Sequence, residues 1–434
     1  MNTQARDKAE NKKETVAVIG AGVIGINCAL ELQSLGYQVT LIDKEGIGLG
    51  CSKGNAGHFA SEQVFPLAES SLIWQMPKLL LDPLGPVSLS AKHFVKAIPW
   101  FMQFFNNMRT KLRDKNTIAL QALNKNSISH FKAVLKAANA EHLMTENGSL
   151  LVFETDNLRT VEAMYQHYKS AGIGVELLDR TQTLKLEPNL HDKINYSLFF
   201  TDVAHTINPL AISQTLADFA QSKGMVFHQG AVTRIDQGQD GVTVMTDDEC
   251  FNMNHCVVAC GAWSKTLLKS LNYNLPIEAE RGYSYSLPLN NNAPASLSRP
   301  VASAERRFII TPMENTLRLA GTVEYAGLHA PANYQRAEML EDNAKFILKS
   351  LPSKGSSAAE GKAEPESWMG CRPSLPDSLP VICQAPNHDK VFFALGHQHL
   401  GLTQGAITGK LIGQLVSKQE TEIDVSPYCI SRFN

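Results

Sequence analysis

Three glycines in the run GAGVIG, Gly20, Gly22 and Gly25, form a GxGxxG turn, and the chemistry of that spacing is diphosphate binding. The first glycine permits a tight turn, the second lets backbone approach a pyrophosphate, and the third lets a helix lie close to its strand. Val23 and Ile24 open that helix, whose free N–H groups and partial positive charge suit an anion. Asp43, twenty-three positions after Gly20, ends the next apolar run and is followed by Lys44. A carboxylate there accepts from a ribose hydroxyl, which argues against a 2′-phosphate. A lone GxGxxG says little; strand, glycines, helix, second strand and terminal acid in register say much more. The fingerprint alone does not separate NAD from FAD.

Three further segments favour a flavin. GCSKGNAGH offers Ser52, Asn55, Ala56, Gly57 and His58, whose amides can line a cofactor reaching past the diphosphate. VVACGAW is a strand ending in small residues, with Cys260, Gly261 and Trp263 placed to pass the adenosine half. FFALGHQHLGLTQGAITG aims a second glycine-rich helix start inward, through Gly396, His397, Gln398, Leu400, Gly401, Leu402 and Thr403. A reduced flavin carries negative charge along its N1–C2=O edge, and a helix N-terminus stabilises it.

The elements that must position these groups can be read coarsely. Thr15–Ile19 is a short apolar strand, Val23–Leu35 has helical spacing with Gly36 as its terminator, and Tyr37–Ile42 is a second strand, together a βαβ unit. Residues 46–60 are too rich in small residues for a regular element, and 64–146 are helix-like, punctuated by Pro66, Pro77, Pro83, Pro86 and Pro99. Strands are expected at 148–153, 175–178, 226–228, 232–235, 241–246, 256–260 and 391–395, and helices at 158–171, 212–222 and 403–415. The alternation over 276–330 predicts an antiparallel sheet with one wet face, and 352–367 a polar loop. Gly401, Gly405, Gly409 and Gly413 recur every four residues, a bare helical stripe; the later two suit packing against the first helix, and Gly401 suits the flavin.

The balance of 40 Lys+Arg against 42 Asp+Glu, a net charge of −2, excludes the clustered basic excess of a nucleic-acid partner. With 434 residues, 44% hydrophobic and 19% charged, the chain reads as two or three ordinary folded domains. Its eight cysteines contain no CxxC pair, so reduced thiols and no metal site are expected. The polar opening MNTQARDKAENKKE has no apolar core and no stretch reaches eighteen apolar residues, so a cytoplasmic protein without signal peptide or span is expected.

Taken together, GAGVIG, CSKGNAG, ERGYS, GCRPSLPDSLPVI and GHQHLGLTQGAITG make the chain similar, from Thr15 to about Leu415, to the D-amino-acid oxidase superfamily. It most resembles bacterial FAD-dependent D-amino-acid dehydrogenases, in the form that acts on D-hydroxyproline. The resemblance implies an α/β fold: a Rossmann-like FAD-binding domain (14–63, 205–275 and 366–420) interleaved with a smaller α+β substrate domain (64–204 and 276–365) containing an antiparallel sheet, after a tail at 1–13. It implies non-covalent FAD, with Val232 and Gly370 added to the cofactor-binding set. Cys371 lies near where sarcosine-type relatives attach flavin, but the match is not residue for residue.

Arg372 matches the family arginine that holds a substrate carboxylate, and its bidentate fork suits that task; the alternative is an ion pair tying two domains. His58 and His399 stand where the family places flavin- and substrate-facing groups, and His399 replaces an arginine of some relatives with a neutral or switchable donor. Each histidine can equally be a satisfied structural residue. Tyr283 and Tyr285 either close the pocket or pack in the sheet, and Arg281 is expected to pair structurally. The implied reaction oxidises the Cα–N bond of a D-amino acid, cis-4-hydroxy-D-proline being the narrower expectation. The alternatives are an oxygen-using glycine or sarcosine-type oxidase, a flavin-binding subunit without turnover of its own, and an NAD-dependent dehydrogenase. The implied electron acceptor is quinone or another carrier. The apolar segment Leu72–Phe105 is a candidate for peripheral contact with the inner face of the membrane, although helical core is the favoured reading.

Overall fold

The structure is a computed structural model that describes residues 13–68, 85–289, 297–352 and 364–433. Pro77, Pro83, most of the polar loop and residues 72–84 of the apolar segment lie outside the described residues.

The opening βαβ unit forms as its sequence requires. Val16, Ala17 and Val18 have no exposed surface, so Thr15–Ile19 lies at the centre of a sheet covered on both faces. It pairs in parallel with Gln38–Asp43 on one side and His255–Val258 on the other. Val226–Gln229 extends the sheet in parallel beyond Gln38–Asp43, and His388–Leu395 beyond His255–Val258. Val381–Ala385 closes the far edge as an antiparallel hairpin. The helix Val23–Ser34 ends one residue before the expected Leu35, where Gly36 at φ +93° takes the left-handed conformation that stops it.

The helix Gly401–Val416 packs directly on Val23–Ser34, and its glycines explain how. A Cβ on Gly409 would stand 2.5 Å from the Asn27 carbonyl oxygen, and one on Gly413 would stand 2.5 Å from Glu31 Cγ. Gly405 faces Asn27 and Val23 at 3.1 and 3.4 Å, so it joins the packing stripe as well. Gly401 has only His397 Cβ near it, at 3.8 Å.

The second large sheet has nine strands. Glu366–Ser374, Glu278–Pro288, Thr316–Tyr325, Phe308–Pro312 and Val301–Ser303 run antiparallel in that order. Ser149–Phe153 then joins Val301–Ser303 in parallel, so the sheet expected over 276–330 is wider and mixed. Tyr196–Phe200 and Val175–Asp179 complete that end, and Val87–Leu89 pairs in parallel with Thr316–Tyr325. The helix Gln335–Ile347, which the periodicity reading did not pick out, covers one face through Ala337, Leu340, Ala344 and Ile347. In the loop expected to lack regular structure, His58–Phe59 forms a two-residue ladder with Ala204–His205.

Residues 94–107 form a helix with Pro99 inside it. Only Ala97 and Trp100 are buried, while Phe94, Val95, Ile98, Met102 and Phe105 are exposed, so this part of the apolar segment is not the core helix that was expected.

Gly409→Ala is expected to destabilise the protein by about 1–3 kcal/mol, because the clash with backbone at Asn27 outweighs the gain in helix propensity. Urea unfolding of the variant against the parent measures it.

Candidate active site

A cavity of about 780 Å³ runs between the parallel sheet and the second sheet. Its wall includes Gly20, Gly22, Val23 and Ile24 of the glycine turn, with Asp43 and Lys44. Gly20 sits at φ +108°, and a Cβ there would stand 2.4 Å from the Ala259 carbonyl oxygen. Gly25 lies behind the wall, where a Cβ would overlap the Gly20 carbonyl oxygen at 1.8 Å. Asp43 braces the turn: its carboxylate accepts from the N–H groups of Ala21 at 2.8 Å, Glu45 at 2.8 Å and Gly46 at 3.1 Å. Lys44 Nζ lies 4.5 Å over the Trp263 ring, and Val232, Cys260 and Gly261 line the same flank.

The loop at 51–57 forms the next stretch of wall. Ser52 Oγ accepts from the Val23 N–H at 3.1 Å, and Asn55 Oδ1 from the Gly57 N–H at 2.8 Å. Arg318 pins the loop by donating to the Asn55 carbonyl at 2.8 Å. Ser52, Asn55, Ala56 and His58 reach the cavity; Gly57, at φ +73°, faces the Thr206 carbonyl instead. Gly396, His397, Gln398, Gly401 and Leu402 line the cavity from the closing strand and helix. Leu400 is the residue before that helix, and Thr403 is turned away, its Oγ1 accepting from the Ala60 N–H at 2.8 Å.

Arg372, Gly370, His399 and Tyr283 line the same cavity. Arg372 Nη1 donates to Glu280 Oε1 at 3.1 Å within the same sheet, while part of its side chain remains exposed to the cavity. The pair joins two neighbouring strands of the second sheet beside the cavity, across the boundary expected from the sequence at 365/366. His399 makes no hydrogen bond to the protein among the described residues, and burial holds its pKa down at about 4. His397 is bound to Thr408 Oγ1 at 2.9 Å, and burial lowers it to about 3. His58 Nε2 lies 2.9 Å from Glu62 Oε1.

Tyr283 differs from the expectation for a pocket hydroxyl. Its OH donates to Glu324 Oε2 at 2.6 Å and accepts from the Asn333 N–H at 3.1 Å, and burial pushes its pKa up to about 12. Only its ring borders the cavity. Tyr285 is not on the wall, and Arg281 pairs with Glu324 at 3.0 Å as expected. Cys371 also stays off the wall: it packs on Ala262 and Ala279, where burial raises its thiol pKa.

Several wall residues carried no sequence signal. Trp368 fills the space beside two glycines, since a Cβ on Gly54 or on Gly370 would come within 2.0 Å of its ring. Glu62 on the wall and Glu280 behind it are buried carboxylates; Glu280 opens the ERGYS motif, but the sequence did not show their pairing with His58 and Arg372.

These residues fit a flavin dinucleotide. The helices Val23–Ser34 and Gly401–Val416 both begin at the cavity; neither is capped by its own N-cap residue, and Ser52 Oγ takes the Val23 N–H of the first. Two such N-termini leave amide donors for a diphosphate and for a second, anionic ring edge. One cavity of about 780 Å³ lined by both Asp43 and Arg372 suits a ligand larger than a mononucleotide.

The model of the DAO family, FAD dependent oxidoreductase, matches residues 15–415, and the chain belongs to that family. It is an FAD-dependent oxidoreductase. A D-amino-acid oxidase of Bradyrhizobium diazoefficiens is 32% identical over 422 residues, covering 96% of this chain and 98% of the relative. A D-amino acid dehydrogenase of Neisseria meningitidis serogroup C is 28% identical over 425 residues, covering 96% and 99%. The glycine oxidase of Geobacillus kaustophilus superposes with a TM-score of 0.70 at 21% identity, over 97% of this chain and 99% of that one, which shows the shared fold.

His205, His397 and His399 have pKa values lowered from 6.5 to about 4, 3 and 4, in each case chiefly by burial. The unfolded chain therefore binds more protons than the folded one between those values, and stability falls as pH drops from 6.5 toward 4. Thermal unfolding across that range is expected to show a midpoint that declines steadily with acid; a flat midpoint would contradict the burial of these rings.

Proposed function

We propose that the protein is a D-amino-acid dehydrogenase that oxidises the Cα–N bond of its substrate. The observation that carries the reading is a guanidinium, Arg372, lining the same cavity as the dinucleotide turn. Bound FAD supplies the acceptor for the hydride that leaves Cα. Arg372 holds the substrate carboxylate, and that anchor fixes which Cα substituent faces the acceptor. The two sheets and the closing loop with His397 and Gln398 keep water from the reacting carbon. When FAD is bound, Asp43 would hold the ribose, the Gly22 and Ile24 amides the diphosphate, and the amides from Gly401 the ring edge. As the hydride leaves Cα the substrate nitrogen gives up a proton and the C=N bond forms; the released imino acid is then hydrolysed by water or cyclises.

Within this class the narrower proposal is cis-4-hydroxy-D-proline. His399 supports it, because a neutral ring without a protein partner suits a hydroxyl better than a carboxylate. An anaerobic panel read at the flavin band tests the proposal: cis-4-hydroxy-D-proline is expected to bleach it faster than D-alanine or L-hydroxyproline. Fastest bleaching by D-alanine would refute the narrower proposal, and no bleaching by any amino acid would refute the class. Arg372→Ala is expected to weaken substrate binding by about 2–5 kcal/mol while the flavin stays bound. Unchanged affinity would remove Arg372 from the site.

The second reading is an oxidase that passes electrons to oxygen, favoured by the 32% identity to a protein named D-amino-acid oxidase. Peroxide production against quinone reduction decides between the two. Delivery to a membrane quinone is supported by the exposed face of the helix at 94–107, where Phe94, Val95, Ile98, Met102 and Phe105 stand among exposed Lys92, Lys96, Arg109, Lys111 and Lys115. Apolar side chains within a cationic rim suit an anionic lipid surface. No helix among the described residues is long and apolar enough to cross a membrane. Co-sedimentation with phosphatidylglycerol vesicles is expected for the parent and lost in Val95→Glu/Met102→Glu; equal sedimentation of both would refute the contact.

A further inference from the structure

The carboxylate-binding arginine proposed above does not stand alone. Arg372 and Glu280 are direct cross-strand partners in the pairing of Glu366–Ser374 with Glu278–Pro288. Arg372 Nη1 donates to Glu280 Oε1 at 3.1 Å, and the second oxygen, Oε2, accepts from Ser374 Oγ at 2.9 Å. Glu280 is 3% exposed, whereas 27% of the Arg372 side-chain surface is open. One edge of the guanidinium is thus fixed in the wall while the rest meets the cavity.

The same strand fixes the guanidinium from below. Gly282 lies two residues beyond Glu280, and a Cβ there would stand 2.4 Å from Arg372 Cζ and 2.4 Å from Nη2. The guanidinium lies across bare backbone in space that any other residue would fill. Burial keeps the neighbouring His399 ring neutral, and Glu280 is the carboxylate paired with the guanidinium.

We infer that Glu280 is a positioning residue that holds Arg372 in the productive pose and attenuates its attraction for carboxylates. The inference rests on the reading of Arg372 as the carboxylate anchor. Its physical reason is that substrate and product share the carboxylate. A bare buried cation would hold both tightly, which stabilises bound states without accelerating the reaction. A guanidinium half-neutralised by Glu280 and held along one edge gives up some affinity and keeps orientation.

The test uses the FAD-loaded enzyme and two variants. Benzoate serves as the carboxylate probe, titrated through its perturbation of the flavin band. Reduction is followed anaerobically with whichever amino acid bleaches the parent fastest. In Glu280→Gln the hydrogen-bonding shape is retained and the charge is removed. Benzoate is expected to bind roughly three- to tenfold more tightly, as unmasking a cation a few ångströms away requires, while reduction slows by about tenfold or more. A merely structural role would weaken both together. Gly282→Ala, which drives the guanidinium out of its place, is expected to weaken benzoate binding by about tenfold or more with FAD content unchanged. Weaker or unchanged benzoate binding in Glu280→Gln, or an unchanged reduction rate, overturns the inference, as does unchanged binding in Gly282→Ala. A parent enzyme that binds benzoate but is bleached by no amino acid overturns the functional reading instead, and the benzoate comparison still measures the charge on Arg372.

Discussion

The close approach of two helices sets the rest of the architecture. Val23–Ser34 and Gly401–Val416 come from opposite ends of the chain and touch backbone to side chain only because Gly405, Gly409 and Gly413 have nothing to interpose. That contact brings two helix N-termini to one cavity. Ser52 satisfies the Val23 N–H, and the remaining first-turn amides suit an anionic ligand. The apolar environment of both helices, with Ile26, Ala29, Leu411 and Ile412 fully or almost fully buried, makes the arrangement rigid. Binding of FAD therefore draws on a site formed by the fold itself.

The second sheet does different work. Antiparallel pairing of Glu278–Pro288 with Glu366–Ser374 places one charge of each sign directly across from the other. Only the arginine extends toward open space; the glutamate is enclosed. The histidine of the closing loop stays a neutral group, because burial outweighs the nearby carboxylates. The cavity thus joins two helix N-termini and the Arg372–Glu280 pair.

Much of this was legible in the residues themselves. The GxGxxG turn, the acid at Asp43 and the last helix all depend on local rules, a turn, a strand end and a helix start, and local rules leave local patterns. Arg372 was legible through its motif. Glu280 stood in the ERGYS motif, but its pairing with Arg372 was not legible, because it comes from cross-strand register over 92 positions. Trp368 was hidden for the same reason: its place is defined by absent side chains at Gly54 and Gly370. Tyr283 was legible as a residue near the site, but the destination of its hydroxyl depended on Glu324, 41 positions away. The outer face of the helix at 94–107 was misread as core because apolar content alone does not say which side of a helix is covered.

The account rests on FAD lying along this cavity with Arg372 in its wall. A crystal structure of the flavin-loaded enzyme with benzoate measures that directly. The expected result is the diphosphate at Gly20–Ile24, the ring system beneath the start of the last helix, and the benzoate carboxylate on Arg372. A ring system elsewhere, or a benzoate whose carboxylate avoids Arg372, would contradict it.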